Sequence, residues 1–289
     1  MPAPVHPAVR EHRSPASDRL WRIALICVAA LSVLAVLAAL AAGSVGAALS
    51  RGSFEDVSAV HAVGTPSALT VRSHAADVRV MVSEGVSEVT LALVEEGSDD
   101  LPGPGDTLRA RWTQSEGAAN GGRGAAREGI TVDVVQPTIS GPSSWALGDG
   151  PRDLLILVPA PAAASMRLRV EGEVGSIEAS GAWKGLELVT EVGDVTARDI
   201  GGADPQHEPV VLQTDIGDVS LTAANGPGRP LSAISNTGDV TVTVPAGEPW
   251  RAEAGTEVGE VHVDPGLDAG HAYPIEARTE VGDVRVQLG

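Results

Sequence analysis

Gly193-Asp194-Val195 and Gly217-Asp218-Val219 are two copies of a short motif that recurs through the second half of the chain. The motif is a glycine, an acidic residue and then Val or Ile, with serine in place of the acid in the first copy. The other four copies are Gly175-Ser176-Ile177, Gly238-Asp239-Val240, Gly259-Glu260-Val261 and Gly282-Asp283-Val284. The glycines are 18, 24, 21, 21 and 23 residues apart, which is typical of supersecondary units that stack on one another.

Alternating apolar and polar residues flank each motif. Around Gly217 the apolar or threonine positions are Val210, Leu212, Thr214 and Ile216 before it, and Val219 and Leu221 after it. A period of two is expected of a strand with one buried face, so the residue directly before each glycine is assigned to that face. The two flanks are out of phase, and a straight strand would send them to opposite faces. The pattern therefore predicts a strand, a bend or bulge at the Gly-Asp pair, and a second strand.

A single copy buries too little apolar surface to offset the conformational entropy lost on folding, so the copies must stack and share a core. Aromatic residues make up 2% of the chain, and a core of small aliphatics suits narrow repeats. We therefore predict an all-β fold, a β-solenoid or a rolled β-repeat sheet. A degenerate seventh copy is predicted at Ala76-Asp77-Val78, with alanine in the place of glycine.

The repeats belong to a predicted extracellular β-domain spanning residues 50–289. Its first half is less regular, with strands expected near residues 130–135 and 153–158. Gly- and Pro-rich composition predicts loops at residues 95–129 and 140–150, with one short strand around residues 108–112 inside the first.

The N-terminus contains the most apolar segment of the chain. Residues 23–49 run 27 residues without a charge, which as a helix would span roughly 40 Å, more than the ~30 Å hydrocarbon layer. A cleaved signal peptide is the alternative, but its apolar region is shorter, about 7–15 residues. Arginines in residues 1–22 predict a cytoplasmic tail, a single transmembrane helix at residues 23–49, and an extracellular C-terminal domain at the cell membrane.

Charge is divided unequally between the two sides of that helix. Residues 1–22 carry four arginines against two acids, a net charge of +2. Because the whole chain has a net charge of −18, the rest of the chain has a net charge of −20. Such acidity argues against nucleic acid as a partner. It suits a cationic peptide or envelope protein, or simply keeps a surface domain soluble. The single cysteine, Cys27, lies in the apolar segment, so no intrachain disulfide is expected.

Two columns of polar side chains would form if the repeats stack in register. Asp194, Asp218, Asp239, Glu260 and Asp283 would form an acidic column, which could bind Ca²⁺ but is more simply explained by the preference of Asp for turns. Thr190, Thr214, Ser235, Thr256 and Thr279 would form a hydroxyl column, which could present an ice- or glycan-binding face. These positions, however, alternate in step with the buried apolar residues of each strand, which places them in the core.

No other motif indicates chemistry. His207, His262 and His271 lack the spacing of metal ligands and are interpreted as surface residues. Trp183 and Trp250 are expected to fill gaps at the corners of the repeats, and Trp145 is either a cap over the core or an exposed contact. The chain has no nucleophile or phosphate-binding motif. We therefore predict no catalytic, cofactor-binding or metal-binding residues and no enzymatic activity.

The run Leu154-Leu155-Ile156-Leu157-Val158-Pro159, followed by Glu173-Val174-Gly175 and the repeated Thr-x-Val-Gly-Asp-Val, resembles the putative-adhesin family. These are bacterial envelope proteins built from β-strand repeats and similar to toast-rack domains. The resemblance covers roughly residues 54–289. It implies a right-handed β-solenoid or rolled sheet outside a membrane, with no catalytic residues to carry over.

Together these observations predict a membrane-anchored, adhesin-like or scaffold domain of the cell surface. The alternative is an envelope-stress sensor or regulatory ectodomain that binds cationic ligands or a membrane partner.

Overall fold

A computed structural model describes residues 54–118, 128–137, 152–201, 208–224, 228–267 and 273–289. Across these ranges the chain is all-β, with twenty strands, one helical turn and one short 3-10 helix. The described residues all fall within one compact unit. The predicted fold class is therefore confirmed at the level of an all-β chain.

The strands of the less regular first half are β1 (Glu55–Ser58), β2 (Val60–Gly64), β3 (Ala68–Ala75), β4 (Val78–Ser83), β5 (Val89–Val94), β6 (Thr107–Ala118), β7 (Glu128–Val135) and β8 (Asp153–Pro159). The helical turn α1 (Ala160–Ala163) follows. The strands of the repeats are β9 (Arg167–Val174), β10 (Ile177–Ala182), β11 (Gly185–Val192), β12 (Val195–Gly201), β13 (Val210–Ile216), β14 (Val219–Ala223), β15 (Leu231–Thr237), β16 (Val240–Val244), β17 (Trp250–Val258), β18 (Val261–Val263), β19 (Tyr273–Val281) and β20 (Val284–Leu288). The 3-10 helix spans Pro265–Leu267.

The strands form two ten-stranded sheets. The first has the order β1-β6-β7-β3-β9-β11-β13-β15-β19-β17, and the second has the order β18-β20-β16-β14-β12-β10-β4-β8-β5-β2. Each repeat contributes its first strand to the first sheet and its second strand to the second sheet. The predicted strand, corner and strand is confirmed in all six copies.

Neighbouring repeats pair in parallel and in register. Leu188 lies opposite Leu212 in the first sheet, and Val195 lies opposite Val219 in the second. The degenerate copy joins the same stack, because β3 pairs in parallel with β9 and β4 pairs in parallel with β10. Equivalent side chains of successive repeats are therefore direct neighbours, about 4.8 Å apart along the stack.

The last two repeats do not stack in the order of the sequence. The sixth repeat, β19 and β20, lies between the fourth repeat and the fifth, so that β17 and β18 form the end of the stack. Burial explains this order. The fifth repeat buries Trp250 at the start of β17, but its next inner residues are only Ala252 and Ala254, whereas Ile275 and Val286 of the sixth repeat are fully buried. The repeat with the least apolar surface occupies the end, where least can be buried.

The core lies between the two sheets and is built from Val, Leu, Ile and Ala, as the composition predicts. Residues two positions after each glycine are buried in every repeat except the last in the stack. There Val261 is 46% exposed, whereas its equivalent Val284 is 1% exposed. Leu267 of the 3-10 helix is buried beside this end of the core.

In the first half of the domain, one strand lies where the sequence predicts mostly loop. β6 runs for twelve residues, from Thr107 to Ala118, where only a short strand around 108–112 was expected within a loop. It lacks an apolar period beyond Trp112, but it pairs antiparallel with β1 over its first part and with β7 over its second. Backbone hydrogen bonds to the neighbouring strands therefore stabilise this part of β6, although its side chains do not alternate between apolar and polar.

Several predictions fall on residues that the structure does not describe. They are the tail 1–22, the apolar segment 23–49 and the loop 140–150 with Trp145. Among the described residues, no helix has the length and hydropathy needed to cross a bilayer.

Candidate interaction surface at the glycine corner

The six motif glycines lie on one line where the first sheet passes into the second, here called the glycine corner. Each has a φ between +134° and +149°, a region that favours glycine. A Cβ on any of them would lie 2.0–2.2 Å from the carbonyl oxygen of the neighbouring repeat. Both backbone conformation and close stacking therefore require glycine. Ala76 fits at the start of this line because its φ is not positive.

The hydroxyl column joins each repeat to the next. The hydroxyl Oγ1 of Thr214 donates to the carbonyl of Gly193 at 2.9 Å. Equivalent bonds of 2.8–3.1 Å are made by Thr190, Ser235, Thr256 and Thr279. Four of the five residues are buried, the exception being Thr256 at the end of the stack. The prediction that these positions belong to the core is confirmed, and the bonds bridge repeats rather than close local turns.

The acidic column also joins the repeats. The carboxylate Oδ1 of Asp194 accepts the backbone N–H of Asp218 at 2.9 Å, and the carboxylate of Asp218 accepts the N–H of Asp239 at 2.8 Å. The series continues from Asp239 to Asp283 and from Asp283 to Glu260. It begins with Asp77, which accepts the N–H of Ser176. We name this exposed series, Asp194, Asp218, Asp239, Asp283 and Glu260, the turn acidic column.

A second column along the corner is apolar and exposed. It consists of the residues directly before each glycine, which in stacking order are Val174, Val192, Ile216, Thr237, Val281 and Val258. The five aliphatic members are 41–63% exposed. The assignment of these positions to the buried face was wrong: the residues are still paired in the first sheet, as Val192 is with Ile216, but the alternation of buried and exposed positions ends at the hydroxyl column, two residues earlier. We name this series the apolar column.

A third column precedes the apolar one by a single residue. Its members, in stacking order, are Glu173, Glu191, Asp215, Asn236, Glu280 and Glu257. All are exposed except Asn236, which is half-buried. We name this series the pre-glycine acidic column. Each exposed Val or Ile in the middle of the stack therefore has one acid directly before it and another two residues after it.

The acids of the corner differ from other acids of the domain in their partners. Glu171, on the first sheet, pairs with Arg72 and Arg169, each at 2.6 Å. Burial raises the pKa of Glu171, but the hydrogen bonds and charges of these two arginines outweigh it and lower the pKa overall. In the two acidic columns, by contrast, the described residues make a single contact with a basic side chain, that of Glu173 with Nδ1 of His74 at 2.7 Å.

A buried arginine secures the side of the stack away from the corner. Arg229 is 4% exposed and donates to the backbone carbonyls of Trp183, Lys184 and Glu208. Burial lowers its pKa to about 10, against the opposing charge of Glu208, so it remains charged at neutral pH. Arg229 could not be singled out from the sequence, because it follows a connection with no periodic pattern.

Of the tryptophan and histidine residues singled out in the sequence, the structure describes Trp183, Trp250 and His262. Trp183 and Trp250 are buried, and their indole N–H groups donate to the carbonyls of Ser180 and Pro245. Their predicted role in filling gaps is confirmed. His262 is exposed on β18, while His207 and His271 lie outside the described residues. Within the described ranges, no group of three or more His, Cys, Asp or Glu residues is arranged to hold a metal ion.

Two solved structures resemble this chain. One is a putative cell adhesion protein from Clostridium sporogenes ATCC 15579, which is 11% identical with a TM-score of 0.43, over 82% of this chain and 100% of the other. The second is a putative adhesin from Bacteroides fragilis NCTC 9343, also 11% identical, with a TM-score of 0.40, over 80% of this chain and 97% of the other. No protein-family model matches the chain, and no curated protein matches it.

Proposed function

We propose that this chain is a non-enzymatic display and scaffold domain of the cell surface, adhesin-like in role, carried on a single N-terminal membrane helix. Its repeats would form a solenoid-like rolled sheet that holds exposed side chains in fixed rows. The observation that carries the proposal is that the polar residues repeated in each copy of the motif form hydrogen bonds within the stack. The Thr hydroxyls and Asp carboxylates bind backbone groups of the next repeat, which is a structural use.

The rows of exposed side chains support a binding role for such a scaffold. In-register stacking repeats the same side chain about every 4.8 Å, which gives a long, regular surface rather than a concave pocket. A membrane anchor at residues 23–49 would hold that surface outside the cell, and the acidity of the extracellular part would keep it soluble.

Cell-surface protease accessibility tests the proposal. Intact cells producing the full chain with a C-terminal tag are treated with a protease, and the tag is followed by immunoblot. We expect the tag to be lost from intact cells and a tag placed before residue 23 to survive until the cells are lysed. Survival of the C-terminal tag on intact cells, with loss only after lysis, would rule out surface display.

The alternative, a regulatory ectodomain that binds cationic ligands, is favoured by the two acidic columns. Their ten carboxylates lie along one corner, and among the described residues only Glu173 contacts a basic side chain, that of His74. Binding of basic peptides to the full chain should weaken as salt rises. Binding that is absent at low salt would remove this alternative and leave the scaffold role standing.

A further inference from the structure

The exposed apolar side chains of this protein are concentrated in one place. Among the described residues seven large apolar side chains are exposed, and five of these form the apolar column. A sixth, Val261, follows the corner of the end repeat, and only Leu101 lies elsewhere. Apolar side chains gathered on one line of a surface are typical of an interaction site, whereas scattered ones need no explanation.

Strand propensity alone does not account for this column. Most other outward positions on these strands carry polar or charged residues, such as Glu187 on β11 and Gln213 on β13, and the aliphatic exceptions Val189, Val211 and Ile234 are half-buried rather than exposed. β-Branched aliphatics nevertheless recur directly before the glycine in five of six repeats, and the remaining position is Thr237, which has nearly the shape of valine. A uniform choice at one exposed position indicates a demand beyond strand formation.

The charge beside the column restricts the partner. Acids flank most members of the apolar column, and each aspartate of the turn acidic column uses Oδ1 for the stack while further lone pairs remain available. A phosphate-bearing surface, such as an anionic bilayer, would be repelled. A partner with an apolar stripe between two basic edges would be attracted on both sides.

The spacing of the column further indicates the shape of that partner. Successive members lie about 4.8 Å apart along the stack, close to the ~5.4 Å pitch of an α-helix. Five such steps accumulate a mismatch of roughly 3 Å, less than one repeat. An extended strand presents side chains on one face only about every 6.8 Å, so its side chains would no longer match the ~4.8 Å spacing of the column after a single step.

We propose that the glycine corner binds a basic amphipathic α-helix of a partner protein. The apolar stripe of the helix lies along the apolar column, and its Lys and Arg side chains meet the pre-glycine and turn acidic columns. A column of about 24 Å would accommodate a helix of roughly 16 residues. This inference rests on the proposed function in its second form, a domain that binds cationic ligands.

Paired variants on the same two strands test the proposal. Val192→Thr with Ile216→Thr removes apolar surface from the column while keeping side chains of the kind already present at Thr237. Val189→Thr with Val211→Thr makes a similar change on β11 and β13 at half-buried positions outside the column. The probe is an 18-residue amidated peptide with leucine on one face of a helix and lysine on both flanks. A scrambled peptide of the same composition is its control.

The binding of each peptide to the full chain in phosphatidylcholine nanodiscs is measured by fluorescence anisotropy, with empty nanodiscs as the blank. We expect the column variant to bind the helical peptide about tenfold more weakly than the unmodified chain, from the lost apolar contact. The outer pair should bind as the unmodified chain does. Glu191→Gln with Asp215→Asn should weaken binding and reduce its dependence on salt.

Three results would overturn the proposal: unchanged binding by the column variant, equal losses in both threonine pairs, or equal binding of the scrambled peptide. The last would leave only general attraction of cations to an acidic domain. None of these results bears on whether the domain is displayed at the cell surface, which protease accessibility measures separately.

Discussion

At the scale of single residues, the motif glycine is required for two separate reasons. Gly217 has a φ of +146°, and an added Cβ would lie 2.2 Å from the carbonyl oxygen of Gly193. The first reason concerns the backbone of one repeat, and the second concerns the distance between two repeats. Alanine at this position would therefore strain its own turn and push the neighbouring turn away.

We expect Gly217→Ala to lower the free energy of unfolding by about 2–4 kcal/mol, from a strained backbone and a backbone clash that cannot relax cheaply. Urea denaturation of the full chain followed by circular dichroism measures the loss. Gly255→Ala is the matched control, because Gly255 lies in β17 with open space where a Cβ would stand. Similar unfolding midpoints for the two variants would contradict the stacking argument.

At the scale of the repeated element, hydrogen bonds and charge repulsion oppose one another. Each aspartate of the turn acidic column accepts an amide N–H of the next repeat, yet the stacked carboxylates repel one another. Aspartate therefore contributes through its oxygen as an acceptor, and its negative charge is a cost that solvent screens. A neutral side chain of the same shape would keep the bond and lose the repulsion.

Two substitutions at Asp218 separate these effects. Asp218→Asn keeps an oxygen that accepts the N–H of Asp239, so we expect the stability at low salt to be equal to or slightly above that of the unmodified chain. Asp218→Ala removes the acceptor and should cost about 1 kcal/mol. Thermal melting at low and high salt measures both. A large loss with asparagine would show that the charge itself is needed, as a bound cation would require.

At the scale of the whole molecule, the fifth repeat forms one end of the stack. β17 pairs on one side with β19 and β18 pairs on one side with β20, and no other described strand pairs with the fifth repeat. Its small inner residues, its acids Glu253, Glu257 and Glu260, and the buried Leu267 of the adjoining 3-10 helix lessen the cost of that position. Such features are those of a terminal repeat that limits further edge pairing.

Local stability should accordingly fall toward this end. We expect backbone amides in β17 and β18 to exchange with deuterium faster than those in β11 to β14, because repeats with neighbours on both sides open less often. Hydrogen exchange followed by mass spectrometry on the full chain measures the difference. Equal protection along the stack would indicate that it opens as a single cooperative unit and would contradict the expectation.

The order of the repeats also belongs to this scale, and the sequence analysis did not anticipate it. All copies share the same apolar and polar pattern, so the pattern does not show which copies are neighbours. The simplest expectation from the sequence is therefore that they stack in chain order. The choice between the fifth and sixth repeats for the inner place depends on how much apolar surface each can bury there. Arg229 was missed for a related reason, since its acceptors come from distant connections.

The sequence by itself determined the strand, corner and strand of each repeat, the all-β class and the burial of the hydroxyl column. These follow from local period, glycine and small aliphatic side chains, which act within one repeat or between identical neighbours. The tertiary structure alone decided the stacking order, the bonds between repeats and the exposure of the apolar column. That exposure depends on where the chain leaves the core at the glycine corner, and a period of two cannot distinguish a side chain just inside that point from one just beyond it.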